Sequence, residues 1–87
     1  MIEKEVTVEG VVLRKLNYDK TSHLGTYELI DRKGRSIQIK LGFDDIEEVR
    51  TLVEEAALRL DLTENQIGEF TKEIRKMAKE MDSVASQ

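Results

Sequence analysis

Side chains able to do chemistry are few in this chain, and most of them are carboxylates. There is a single histidine, His23, next to Ser22 in a polar stretch, and there are no cysteines. A nucleophilic site needs a nucleophile, a base and an orienting group held in contact, and adjacency of Ser22 and His23 does not supply that arrangement. The absence of cysteine removes thiolate nucleophiles, thiolate metal sites and disulfides together. No glycine-rich phosphate cradle is present, because the 5 glycines stand singly. Catalytic residues are therefore expected to be none. The densest group of metal-type ligands is Asp44, Asp45, Glu47 and Glu48. Hard cations such as Ca²⁺ take several carboxylate oxygens, so a calcium site is one reading of this cluster. The other is structural: acidic side chains in a first helical turn complement the helix dipole and cap free N–H groups.

Basic residues form two groups. Arg32, Lys33 and Arg35 surround a tight turn, while Lys72, Arg75, Lys76 and Lys79 recur at the spacing of one helix face. Either could meet phosphate. Residues 1–43 carry 8 basic and 6 acidic side chains, and residues 44–87 carry 6 and 12, giving a net charge of −4. Phosphate contacts dominate affinity for nucleic acid, so this balance argues against general nucleic-acid binding and leaves a local patch, with the turn at Arg32, Lys33 and Arg35 as its candidate. Tyr18 and Tyr27 are the candidate base stackers, and Glu69 and Glu73 are the expected ion-pair partners of the helix-face cations.

The elements that would position these groups follow from periodicity. With 87 residues, 39% apolar and 37% charged, the chain is sized for one domain with one modest core beneath a charged surface. Ile2, Val6 and Val8 alternate with polar residues as in a half-buried strand. Gly10 interrupts, and Val11, Val12, Leu13 and Leu16 follow, so the first strand is either long and bent or two short strands. Residues 17–24 are polar and read as a loop. Residues 25–43 read as a hairpin turning at Asp31-Arg32-Lys33-Gly34, with Gly34 free to take positive φ. From Asp44 the period changes to that of helices. Asp44 and Glu47 have the form of a capping box, and Ile46, Val49, Val53, Ala56 and Leu60 make one apolar stripe. Thr63 and Gln66 form a second capping box, with Leu62 and Ile67 at staple positions. Ile67, Phe70, Ile74, Met77, Met81 and Val84 then mark a longer helix.

The short link makes the helices antiparallel neighbours. The expected fold is α+β: an antiparallel sheet of three to four strands packed against a C-terminal antiparallel helix pair, with 1–43 as strands and 44–84 as helices in one domain. No run of apolar residues is long enough to span a bilayer. The lack of cysteines points to a cytoplasmic setting, and the surplus of Glu, Lys and Arg over Asn and Gln to a heat-adapted source.

Two features point to protein contacts. Hairpin edge strands offer free N–H and C=O groups to another strand. The second helix outruns the first, so Met77, Met81 and Val84 are expected to overhang and dock on a partner or a twin chain. Ile39-Lys40-Leu41, Asp44-Asp45 and the Phe70/Ile74 step, within SIQIKLGFDDIEEVRTLVEEAALRLDLTENQIGEFTKEIRKM, resemble the PFU-type ubiquitin-binding domains. The same strand-cap-helix-helix order is similar to the CCT-type peptide-binding domains of stress-signalling kinases. The resemblance covers residues 36–77 and lacks the proline usual after the strand of the first family. It implies a non-catalytic module that binds a protein or peptide.

Overall fold

In a computed structural model of the chain, residues 4–19, 21, 24–42 and 47–85 are described. Four strands, β1 (Lys4–Val8), β2 (Val11–Asp19), β3 (Leu24–Ile30) and β4 (Ser36–Gly42), precede two helices, α1 (Val49–Leu60) and α2 (Glu64–Ala85). The strands form one antiparallel meander in the order β1-β2-β3-β4, so β1 and β4 are its two edges.

The bend expected at Gly10 is a tight hairpin turn. Val8 pairs with Val11, and the two residues between them both have positive φ, 50° at Glu9 and 85° at Gly10. A two-residue loop of this hand matches the right-handed twist of its strands, and glycine at the second position adopts it without strain. The second hairpin turns through three residues. Gly34 N–H donates to the Asp31 carbonyl at 3.1 Å, and Asp31 N–H donates to the Arg35 carbonyl at 2.9 Å. Gly34, at φ 85°, closes the turn in the left-handed region.

Alternation along the strands aims Leu13, Tyr27, Leu29, Ile39 and Leu41 at the helices. Val11 and Lys15 share that inward set, so a lysine takes the third buried position on β2. Val49, Val53, Ala56 and Leu60 of α1 meet the sheet together with Ile67, Phe70 and Ile74 of α2. α1 lies over β4, and α2 over β1 and β2. On the opposite sheet face Glu5, Arg14 and Glu28 stand in cross-strand register, with Arg14 Nε 3.0 Å from Glu5 and an Arg14 N–H group 3.9 Å from Glu28.

Three expectations need correction. Residues 17–19 are strand, not loop: β2 continues through a bulge at Leu16, where the register steps from Lys15↔Tyr27 to Asn17↔Thr26. This end of the hairpin carries exposed Asn17 and Asp19, so its polarity reflects exposure and not a break in pairing. The α-helical turns of α1 begin at Val49, after one tighter turn at Glu47-Glu48, and among the described residues no side chain makes a capping hydrogen bond at this end. Asp44, the proposed cap, lies outside the described residues. Met77 does not overhang: it is 1% exposed and sealed into the core, because the apolar stripe of α2 runs on over the sheet past the reach of α1.

Candidate binding surfaces

Among the described residues, three surface regions collect side chains able to do chemistry. The first lies where both hairpin turns meet the α1–α2 link. Gln66, 4% exposed, ties this end together. Its Oε1 accepts from Thr63 N–H at 2.8 Å, and its own N–H donates to Thr63 Oγ1 at 3.1 Å, completing the reciprocal cap expected there. Its Nε2 donates to the Val8 carbonyl at 3.0 Å and more weakly to the Glu9 carbonyl at 3.4 Å. This orientation of the amide is the one that satisfies all its partners. The Glu9 carboxylate accepts from Thr63 Oγ1 and from Asn65 Nδ2, both at 3.1 Å, which holds an anion at the N-terminus of α2 where the helix dipole favours it.

The basic turn is drawn into the same clasp. Arg32 donates through Nε to the Glu9 carbonyl at 2.9 Å, and Arg35 donates through Nε to Asp31 at 2.6 Å. Arg35 also reaches Asp61, at 3.6 Å. Asp31 Oδ1 accepts the backbone N–H groups of Lys33 and Arg35 at 2.9 and 2.8 Å. Withdrawal from water works to raise the pKa of Asp31. The Arg35 side-chain hydrogen bond, the two backbone N–H groups and the Arg35 charge outweigh it, and the carboxyl sits below its ordinary value. A carboxylate held ionised in this way serves as a turn anchor and is poorly matched to acid–base work near neutrality. The recess over the clasp, about 240 Å³, is lined by groups that bond mainly to one another. Of the three residues proposed to meet nucleic acid, Arg32 and Arg35 are thus engaged within the chain, and Lys33 is exposed at the rim of the recess.

The second region is a groove of about 250 Å³ between β4 and α1. Ile37 and Ile39 of β4 and Leu52 and Ala56 of α1 line it with apolar surface, and Gln38, Lys40, Glu55 and Arg59 stand around it. The backbone along this groove has a definite polarity. Antiparallel pairs alternate between residues that exchange hydrogen bonds and residues that do not. Asp31 and Arg35 are a bonded pair, so counting along the register makes Leu29↔Ile37 and Tyr27↔Ile39 bonded and Ile30↔Ser36, Glu28↔Gln38 and Thr26↔Lys40 non-bonded. The N–H and C=O groups of Ser36, Gln38 and Lys40 therefore point away from β3, toward the open edge.

The third region is a broad groove of about 490 Å³ beside α2. Lys72, Arg75, Lys76 and Lys79 line it from α2, with Arg50 from α1 and with Gly68 and Thr71. The expected ion pairs from Glu69 and Glu73 do not form. Arg50 alone is paired, to Glu54 at 3.6 Å and Glu64 at 3.3 Å.

The remaining sequence candidates are distributed as follows. Glu47 and Glu48 are exposed on the turn before α1, and Asp44 and Asp45 lie outside the described residues. Among the described residues no group of three or more His, Asp or Glu side chains is placed to hold a metal ion. Met77 is buried, and the side chains of Met81 and Val84 lie outside the described set. Tyr27, proposed to stack bases, is 1% exposed, because it faces the helices from the middle of β3; the Tyr18 side chain and His23 lie outside the described residues. Among the described residues no helix is long and apolar enough to cross a membrane. Sequence reasoning named edge strands in general but missed the groove at β4, because its two walls come from segments separated by the whole of the α1 entry. No protein-family model, curated protein or solved structure matches the chain.

Proposed function

We propose that the protein is a non-catalytic interaction module that takes an extended peptide as a fifth strand along β4. The observation that carries this reading is the free edge of β4 at Ser36, Gln38 and Lys40, lying beside the apolar groove between β4 and α1. Strand addition draws affinity from main-chain hydrogen bonds and specificity from pockets for alternate side chains. Gln38 and Lys40 supply the first. Ile37, Ile39, Leu52 and Ala56 supply the second. The groove is smaller than the roughly 300–1,000 Å³ of small-molecule sites, and it suits one or two side chains of an extended chain better than a cofactor. Lys40 and Arg59 outnumber Glu55 beside it, favouring a peptide with apolar residues at alternate positions and an acidic one between.

Edge lysines also oppose indiscriminate pairing, which fits Lys40 as a device that restricts entry to selected strands. The test is selection of binding peptides from a displayed random library, followed by affinity measurement against Gln38→Pro. The Gln38 N–H lies outside the β3–β4 ladder, so proline there removes an edge donor and leaves the sheet paired. Selected peptides should share alternating apolar positions and lose at least tenfold in affinity to Gln38→Pro. Equal binding to both proteins would overturn the reading. A β4-to-β4 dimer of the chain would instead appear in sedimentation as a doubled mass that the same substitution abolishes.

A further inference from the structure

The groove on α2 is a different surface from the peptide edge, and its chemistry is of one kind. Successive helical residues are offset by about 100°, which gathers Lys72, Arg75, Lys76 and Lys79 within an arc of about 100° on the side of α2 opposite Phe70 and Ile74. Glu69 and Glu73 fall farther round and do not line the groove. None of the four cations is in an ion pair among the described residues, although the chain holds 18 acidic side chains against 14 basic ones. Leaving four positive charges together and unneutralised on one helix destabilises that helix by mutual repulsion, and an anion would relieve it.

We infer that this groove binds the phosphodiester backbone of a nucleic acid, without reading its sequence. Three observations select this occupant. The described lining holds no aromatic or large apolar side chain to anchor a folded protein or to stack a base. Among the described residues the apolar stripe of α2, from Ile67 to Met77, is committed to the core and leaves no apolar side chain on the groove to insert into a lipid surface. The groove is elongated, with Gly68 and Lys79 about 16 Å apart along the helix, and a Cβ placed on Gly68 would meet nothing within 4 Å, so the groove is open at that end. This relocates phosphate contact from the turn at Arg32, Lys33 and Arg35, where two of the three cations serve the clasp, to α2.

Fluorescence anisotropy with a labelled 20-nucleotide mixed-sequence DNA, single- and double-stranded, tests the inference on the whole chain. Four phosphate contacts predict that raising salt from about 50 to about 200 mM weakens duplex binding roughly 150-fold and single-strand binding roughly 50-fold. Lys76→Ala with Lys79→Ala should reduce the duplex loss to roughly 12-fold. Gly68→Glu, whose Cβ meets nothing within 4 Å, should weaken binding at least tenfold at low salt, while Gly68→Ala should leave it unchanged and confirm that the helix tolerates a side chain there. Absence of salt-dependent binding up to about 100 μM protein would overturn the inference. So would loss of binding on Lys33→Ala with none on the α2 substitutions, equal or tighter capture by phosphatidylserine vesicles, or a concentration-dependent dimer that Gly68→Glu dissociates.

Discussion

Replacing Gln66 by alanine should be the most damaging single change at a polar position. The side chain is buried and makes hydrogen bonds to two elements at once: the N-terminus of its own helix and the end of the β1–β2 hairpin. Truncation leaves Thr63 N–H without its capping acceptor, which costs about 1 kcal/mol. It removes the donor to the Val8 carbonyl, about 1 kcal/mol more. It also empties the space of a buried methylene, about 0.8 kcal/mol. The sum is about 3 kcal/mol, which for a domain of this size lowers Tm by roughly 12–24 °C. Urea denaturation followed by circular dichroism measures it, with an unchanged slope showing that the unfolded state is unaffected. Thr63→Ala is the control: it removes the other half of the cap, the Oγ1 acceptor of the Gln66 N–H, and leaves the Gln66 side chain bonded to Thr63 N–H and to the Val8 carbonyl, so it should cost about 1 kcal/mol. A loss below about 1 kcal/mol for Gln66→Ala, or one no larger than that of Thr63→Ala, would refute the clasp as the tie between sheet and helices.

Two further outcomes follow from burial and charge. Met77→Ala should destabilise the fold by about 2–5 kcal/mol in urea denaturation, as a core truncation does; an unchanged midpoint would return Met77 to the surface. Asp31, with its folded pKa below the ordinary 3.8, stabilises the fold above that value, and this contribution is lost as pH falls through the folded value. Asp31→Asn should therefore be less stable than the natural protein near neutral pH, with the gap narrowing as pH drops below about 3.8 in matched denaturation series; a gap constant from about pH 7 to about pH 3 would contradict the turn anchor.

Much of the fold was legible because it rests on local periodicity. The hairpin at 25–43, both helices and the Thr63–Gln66 box follow from residues that interact within a few positions of one another. Misreadings arose where tertiary context decides. Asn17 and Asp19 look like loop because polarity marks both turns and exposed strand ends. Met77 was expected to overhang because helix length alone does not say how far the sheet extends beneath it. Lys15, buried at 3%, sits where alternation demands an inward residue, a position that side-chain type would have sent to solvent. The binding surfaces were harder still. The β4 edge is defined by register parity and by α1 beside it, and neither is written in a single segment. The cationic row on α2 was visible at helical spacing, but that Glu69 and Glu73 leave it unpaired depends on side-chain placement.

Backbone amide exchange tests directly whether the edge of β4 receives a strand. With a selected peptide bound, the Gln38 and Lys40 N–H groups should become strongly protected, while those of Ile37 and Ile39, already bonded to β3, should change little. Protection that stays unchanged at Gln38 and Lys40, or that appears instead at Glu5 and Thr7 on the β1 edge, would contradict it.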